Sequence, residues 1–249
     1  GIIILVFIVP LLFIFVREYP EDLGLRPDGA SPDDADSGAR SAAAEQPPVN
    51  RTLREASGTL PFWLLCSGYF VCGWTVGMVS AHIAAYLDDL GFAREIGGYV
   101  LAIIGGMNIV GTLTMGTIAD RFGHTALPLG VVYFIRGIAF MIMVFSQTLT
   151  AVLLFAFVVG FAWFSTVPLT YSLAGKHFGL RNLGVITGTL FLSHQVGSGI
   201  SIALAGWWSE YFGSYNSYYL IGACFSFAAA VCSALIAERQ SSDLVPSAV

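Results

Sequence analysis

Gly116-Thr-Ile-Ala-Asp-Arg-Phe-Gly-His124 sets two opposite charges between two long apolar runs, one ending near Thr114 and the next beginning near Ala126. A charged stretch of that length between two membrane-length segments reads as a short hinge between helices. The composition agrees. Of 249 residues, 56% are apolar, 11% are charged and a single one is Lys, with a mean hydropathy of +0.75, far above that of soluble domains. The chain therefore reads as an all-α integral membrane protein.

Working outward from the hinge, apolar segments fall at 1–16, 60–87, 97–118, 126–146, 149–173, 183–208 and 217–237. All but the first reach the roughly 20 residues that cross a bilayer. The first is too short, spanning about 24 Å of a core roughly 30 Å thick. It also opens without an initiator Met, and Phe13-Ile-Phe-Val-Arg-Glu18 has neither the basic leader nor the small-residue cleavage site of a signal peptide. The expectation is a fragment that begins near the end of a helix (1–16). A linker follows at 17–58, rich in Pro, Ala, Ser and Asp and disordered over 31–48, then a helical domain at 59–238 and a tail at 239–249.

Charge placement sets the expected orientation. Arg17, Arg26, Arg40, Arg51, Arg54, Arg121, Lys176, Arg181 and Arg239 fall on one face, and Arg94 alone on the other. The positive-inside rule then makes the linker and C-terminus cytoplasmic, in a multi-pass protein of the cell (inner or plasma) membrane. The net charge of −5 comes mostly from the linker and argues against nucleic-acid binding. Cys66, Cys72, Cys224 and Cys232 all lie in apolar runs without metal-ligand spacing and read as small core residues, so no metal or cofactor is expected.

The pattern of Gly116, three residues, Asp120-Arg121, one residue and Gly123 resembles the loop signature of the major facilitator superfamily of secondary transporters. His124 and Thr125 stand where that family has two Arg or Lys. Tyr19-Pro-Glu-Asp-Leu-Gly-Leu-Arg-Pro-Asp-Gly29, Trp163-Phe-Ser-Thr-Val-Pro-Leu-Thr170, Phe191-Leu-Ser-His-Gln-Val-Gly-Ser198 and Gly213-Ser-Tyr215 are similar to its monocarboxylate-transporter-like and oxalate/formate-antiporter-like branch. The resemblance implies the C-terminal six-helix bundle of a twelve-helix fold plus the end of the preceding helix, with an N-terminal helical half as its missing partner. It also implies alternating-access transport of a small organic solute, a monocarboxylate-type anion, with protons or a counter-solute.

Candidate path residues follow from the faces. Thr187, Phe191, His194, Ser198 and Ser201 share one side of the sixth spanning stretch counted from the N-terminus. They serve either interhelical hydrogen bonding or a water-filled path, with His194 the leading functional candidate because ionisable groups at membrane depth are rare. Thr75 belongs to a partly polar stripe with Ser67 and His82, Asn108 to one with Gly105 and Thr112, and Thr166 to one with Trp163 and Thr170 near Pro168, which leaves backbone carbonyls available. Arg136 lies near mid-depth with no acidic residue at its level. It bonds either carbonyls and hydroxyls, the favoured reading, or an anionic substrate. For the hinge, a conformational gate is expected in which Asp120 meets Arg181 and Asn182 on one side of the transport cycle, Gly116 allows close helix approach and Gly123 the tight turn.

Two other classes share parts of this pattern. A seven-helix membrane receptor fits the segment count, but the last segment has no Asn-Pro-x-x-Tyr and there is no outer Cys pair. For an intramembrane enzyme, Ser193 and His194 are adjacent, and helical neighbours diverge by about 100 degrees, which is no nucleophile–base pair.

Overall fold

The computed structural model describes residues 6, 10, 11, 50–122 and 124–236. Nearly all of the expected first helix and linker, together with Gly123 and the tail, lie outside the described residues. Contacts divide the chain between Pro48 and Val49, and the second unit holds the helical domain.

Its elements are α1 (Leu53–Ser57), α2 (Leu60–Asp89), α3 (Arg94–Phe122), α4 (Ala126–Phe145), α5 (Leu149–Phe161), α6 (Thr166–Phe178), α7 (Leu183–Phe212) and α8 (Asn216–Ala234). The six later apolar segments all appear as helix. One of them, 149–173, is broken into α5 and α6. Among the described residues, five stretches are long and apolar enough to cross a membrane, counting Leu149–Phe178 as one. α7 is as long as α2 but falls outside that set, because His194 and Gln195 dilute its hydropathy.

The charged hinge is helical for most of its length. α3 runs through Asp120 and Arg121 to Phe122, so the two charges occupy its last turn and not a loop. Backbone hydrogen bonds continue past the apolar run because polar side chains at a helix end reach water without interrupting the ladder.

α2 lies at the centre. Of its spanning window 72% is buried, against 22% for α3. It packs most extensively on α7 and also meets α8, α3 and α6, while α4 pairs with α8 and α3 with α5. The α2–α7 seam is a backbone-on-backbone contact. A Cβ added at Gly73 would stand 1.9 Å from the His194 carbonyl oxygen, one at Gly77 2.8 Å from that of Ser198, and one at Gly197 2.3 Å from that of Phe70. Gly73-Trp-Thr-Val-Gly77 is the small-xxx-small spacing that brings two helices together where lipid supplies no hydrophobic drive. Polar groups tie the seam at both ends. Ser193 Oγ donates to the Cys66 carbonyl at 2.9 Å, and the His82 ring bridges the Ile202 carbonyl at 2.9 Å and the Tyr215 hydroxyl at 3.2 Å. With a carbonyl opposite it, Nε2 of His82 carries the hydrogen and Nδ1 accepts from Tyr215.

Gly73→Ala forces this seam apart and is expected to destabilise the protein by about 1–3 kcal/mol, the range for overpacking. Gly68→Ala on the same helix meets only the Tyr133 ring at an ordinary 3.5 Å and is expected to be tolerated. Thermal unfolding of the two variants in detergent distinguishes them, and equal losses would count against the seam.

Candidate functional site

The break between α5 and α6 falls at mid-depth, where unpaired backbone groups are costly. Pro168, third in α6, has no N–H to offer the Phe164 carbonyl and crowds it, which ends the helical ladder of α5 ahead of it. The polar groups of the break are then satisfied from outside the ladder. The Ser165 hydroxyl donates to the Phe161 carbonyl. Arg136 Nη2 donates to the carbonyls of Ala162 and of Trp163, the latter at 2.7 Å. The Phe164 N–H donates to Asn108 Oδ1 at 3.1 Å, and the Phe164 carbonyl accepts from the Val167 N–H at 3.0 Å. Non-helical backbone at this depth persists because two side chains, one from α4 and one from α3, meet its needs.

Arg136 is 1% exposed. Its Nη1 donates to Thr75 Oγ1 at 3.2 Å, and its guanidinium carbon lies 5.4 Å from the centre of the Tyr133 ring. Among the described residues no carboxylate pairs with it, so carbonyl dipoles, a hydroxyl and a ring face carry the compensation for a buried charge. Its Nε makes no hydrogen bond. Thr75 passes its own hydrogen to the carbonyls of Val71 and Cys72 at 3.0 Å, which leaves its oxygen free to accept from Arg136.

Next to this group, Cys72 Sγ stands 3.3 Å from Thr166 Oγ1 at the start of α6, both buried. His194, 6% exposed, stacks on Phe191 with ring centres 5.5 Å apart and packs on Tyr69 at 5.4 Å. Its Nδ1 contacts Gln195 Oε1 at 3.1 Å, while its Nε2 makes no hydrogen bond. Thr75, Arg136 and Thr166 are thus drawn into one buried polar assembly from α2, α4 and α6, with Asn108 on its far side and His194 beside Tyr69.

The other expected path residues are placed differently. Ser198 lies under Gly77 in the helix seam. Ser201 is buried against Tyr218, whose hydroxyl donates to the Ser201 carbonyl at 3.0 Å. Thr187 bonds back to Leu183 of its own helix at 2.8 Å. The stripe on α7 therefore divides between packing and the neighbourhood of His194. Cys72 and Tyr69, read from sequence as core residues or not singled out, belong to the assembly, and the spacing of Gly73 and Gly77 was the signal that α7 would press against this part of α2.

At the hinge, Asp120 and Arg121 are exposed, and no hydrogen bond or ion pair joins Asp120 to Arg181 or Asn182. That contact is not made in this conformation. Nothing of this chain lies within 4 Å of a Cβ built at Gly116, so the expected close approach there finds no helix within the described residues. The start of α7 is instead held by the end of the linker. Arg51 N–H donates to the Phe178 carbonyl at 2.8 Å, Asn182 Nδ2 to the Arg51 carbonyl at 3.0 Å, and Arg181 N–H to Asn50 Oδ1 at 3.3 Å. α1 follows with a capping box, Thr52 N–H donating to Glu55 Oε2 at 2.7 Å. That backbone bond, with the Thr52 hydroxyl, holds the Glu55 carboxyl below its usual range. The cap is therefore present above the ordinary carboxylate pKa and is lost as pH falls through the lowered one.

A family profile described as Major Facilitator Superfamily matches residues 1–202. Among curated relatives, the chain is 27% identical over 188 residues to an uncharacterized MFS-type transporter, YcxA, of Bacillus subtilis, covering 74% of this chain and 43% of the relative. It is 26% identical over 165 residues to the 4-hydroxybenzoate transporter PcaK of Acinetobacter baylyi, covering 64% of this chain and 35% of that one. Against monocarboxylate transporter 13 of Rattus norvegicus it is 22% identical over 171 residues, covering 68% and 38%. The chain spans less than half the length of each.

Asn182→Ala frees the Arg51 carbonyl and is expected to speed tryptic cleavage after Arg51 and Arg54 about fivefold, the scale of one lost hydrogen bond of about 1 kcal/mol. Timed digestion followed by mass spectrometry reads the rate. An unchanged rate would mean that the linker end is not held at this point.

Proposed function

This chain belongs to the Major Facilitator Superfamily, and from that premise we propose that it is the C-terminal lobe of a secondary carrier for a small organic solute, with a monocarboxylate-type anion the favoured class. Membership in a transporter family sets the seven-helix receptor reading aside. The observation that carries the proposal is the buried polar assembly of Thr75, Arg136, Cys72 and Thr166 beside a helix break at mid-depth. Discontinuous helices and polar groups at that level are how secondary carriers build solute sites at a lobe interface.

Two helices support a second lobe. α3 and α7 leave faces uncovered by this chain, with open space over Gly105, Gly106 and Gly116 on the first and over Gly184, Gly188 and Gly199 on the second. Small residues of this kind let a helix from another lobe approach closely. The relatives are more than twice as long as the stretch they share with this chain. The missing lobe is N-terminal in this reading, and the linker is the connection to it.

The anion preference rests on chemistry. Two relatives are named for hydroxybenzoate and monocarboxylate, and the assembly here presents a guanidinium with no carboxylate beside it. Coupling to protons or to a counter-solute belongs to the same proposal, with His194 the titratable group of this lobe placed to take part. By the distribution of Lys and Arg, the linker and the C-terminus are cytoplasmic. The Asp120 gate forms in the conformation opposite to this one, when the end of α3 and the start of α7 come together.

The test is uptake of labelled monocarboxylates into vesicles bearing the full-length gene product, with residues 1–249 alone as the control. Saturable uptake by the full-length protein only is expected. Asp120→Asn should slow it and shift the balance of inward- and outward-open forms. Full activity of residues 1–249 alone would remove the two-lobe reading, and an unaltered Asp120→Asn variant would remove the gate.

A further inference from the structure

The break between α5 and α6 is bound on its two sides by unlike means. α5 is fixed to α3 backbone against backbone: a Cβ at Gly111 would stand 1.9 Å from the Phe161 carbonyl oxygen, and one at Gly160 2.8 Å from Ile104 Cα. No such contact holds α6. Its one glycine, Gly175, would meet only the Leu180 side chain, at 3.5 Å. α6 instead buries Leu169, Leu173, Ala174 and Phe178 as side chains, and meets α2 through the single Cys72–Thr166 contact. Side-chain packing of that kind permits sliding and tilting; interlocked backbones do not.

We propose that Arg136 and Asn108 are positioning residues that hold the α5–α6 break as a joint, about which α6 moves as a separate half-helix while α5 stays with α3. Arg136 binds the carbonyl side of the break and Asn108 its N–H side. Arg is suited to the first task because its charge persists at any physiological pH and its fork reaches two carbonyls and the Thr75 hydroxyl together. Asn108 is suited to the second because Oδ1 accepts from Phe164 N–H and from Thr112 Oγ1 at once. The hydrogen bonds missing from the helical ladder are therefore replaced by bonds to side chains on fixed helices. Such bonds survive small rotations of α6, whereas a continuous ladder would have to break.

The guanidinium is thereby committed to the chain's own carbonyls, which separates this role from direct capture of an anion. The use of the joint in transport rests on the proposed carrier function, but the joint itself is measured without solute.

Hydrogen–deuterium exchange of the full-length protein in lipid nanodiscs tests it. In both Asn108→Ala and Arg136→Gln, peptides from 166–178 are expected to exchange about tenfold faster, the scale of one charge-assisted bond, while peptides from 149–161 stay unchanged. Arg136→Lys, a point donor unable to bridge two carbonyls, should fall between wild type and Arg136→Gln. Faster exchange in α5 and α6 alike would indicate general loosening and overturn the joint, as would no change in either variant. If Arg136→Gln does not fold, Asn108→Ala carries the same comparison. In uptake, an Arg136→Gln variant that raises the half-saturating anion concentration, is fully rescued by Arg136→Lys and leaves exchange untouched would assign Arg136 to the anion and overturn its positioning role. Loss of all uptake by wild type would remove the carrier reading and leave the exchange result standing.

Discussion

Everything in this lobe depends on how closely α2 and α7 approach. With Gly73, Gly77 and Gly197 at the crossing, the carbonyls of Phe70, His194 and Ser198 lie where side chains would otherwise be. Lipid is as apolar as the helices, so the contact is held by packing and by the two tethers at its ends, Ser193 to Cys66 and His82 to Ile202. It fixes the height of His194 against Tyr69. Through α2 it also fixes the height of Thr75 and Cys72 against Arg136 and Thr166. A shift of one residue along the seam would separate all four.

The second constraint is the cost of polar groups at depth. A guanidinium and an interrupted backbone are each expensive in a bilayer, and here each satisfies the other. Neither element is tolerable alone. The reciprocity explains why a charged residue persists on α4, whose neighbours Tyr133, Gly137 and Phe140 are otherwise packed as core.

Much of the fold was legible because membrane helices announce themselves by length and hydropathy. The boundaries of α2, α4 and α8 fall within a few residues of the apolar runs that marked them. The division at 162–165 was not legible, because the run 149–173 is apolar throughout and Pro168 lies several residues beyond the gap it causes. Nor was the end of α3: hydropathy falls at Asp120, but the hydrogen-bond ladder does not. Site residues were legible as types and not as partners. Arg136 stood out by charge, yet its acceptors are backbone carbonyls, which every residue has and no sequence marks. Cys72 gave no signal because a thiol in an apolar run is ordinary, and its place beside Thr166 is a matter of tertiary register.

The polarity of α7 has a consequence for how the lobe is made. His194 and Gln195 keep this helix below the hydropathy at which a segment partitions into lipid by itself. α2, synthesised well before it, is apolar enough to enter the bilayer and carries the glycine groove that accepts α7. Membrane integration of the later helix is then a docking event as much as a partitioning one. A substitution that fills the groove would leave α7 stranded at the insertion machinery, a defect of biogenesis visible in the quantity of protein before any in its stability.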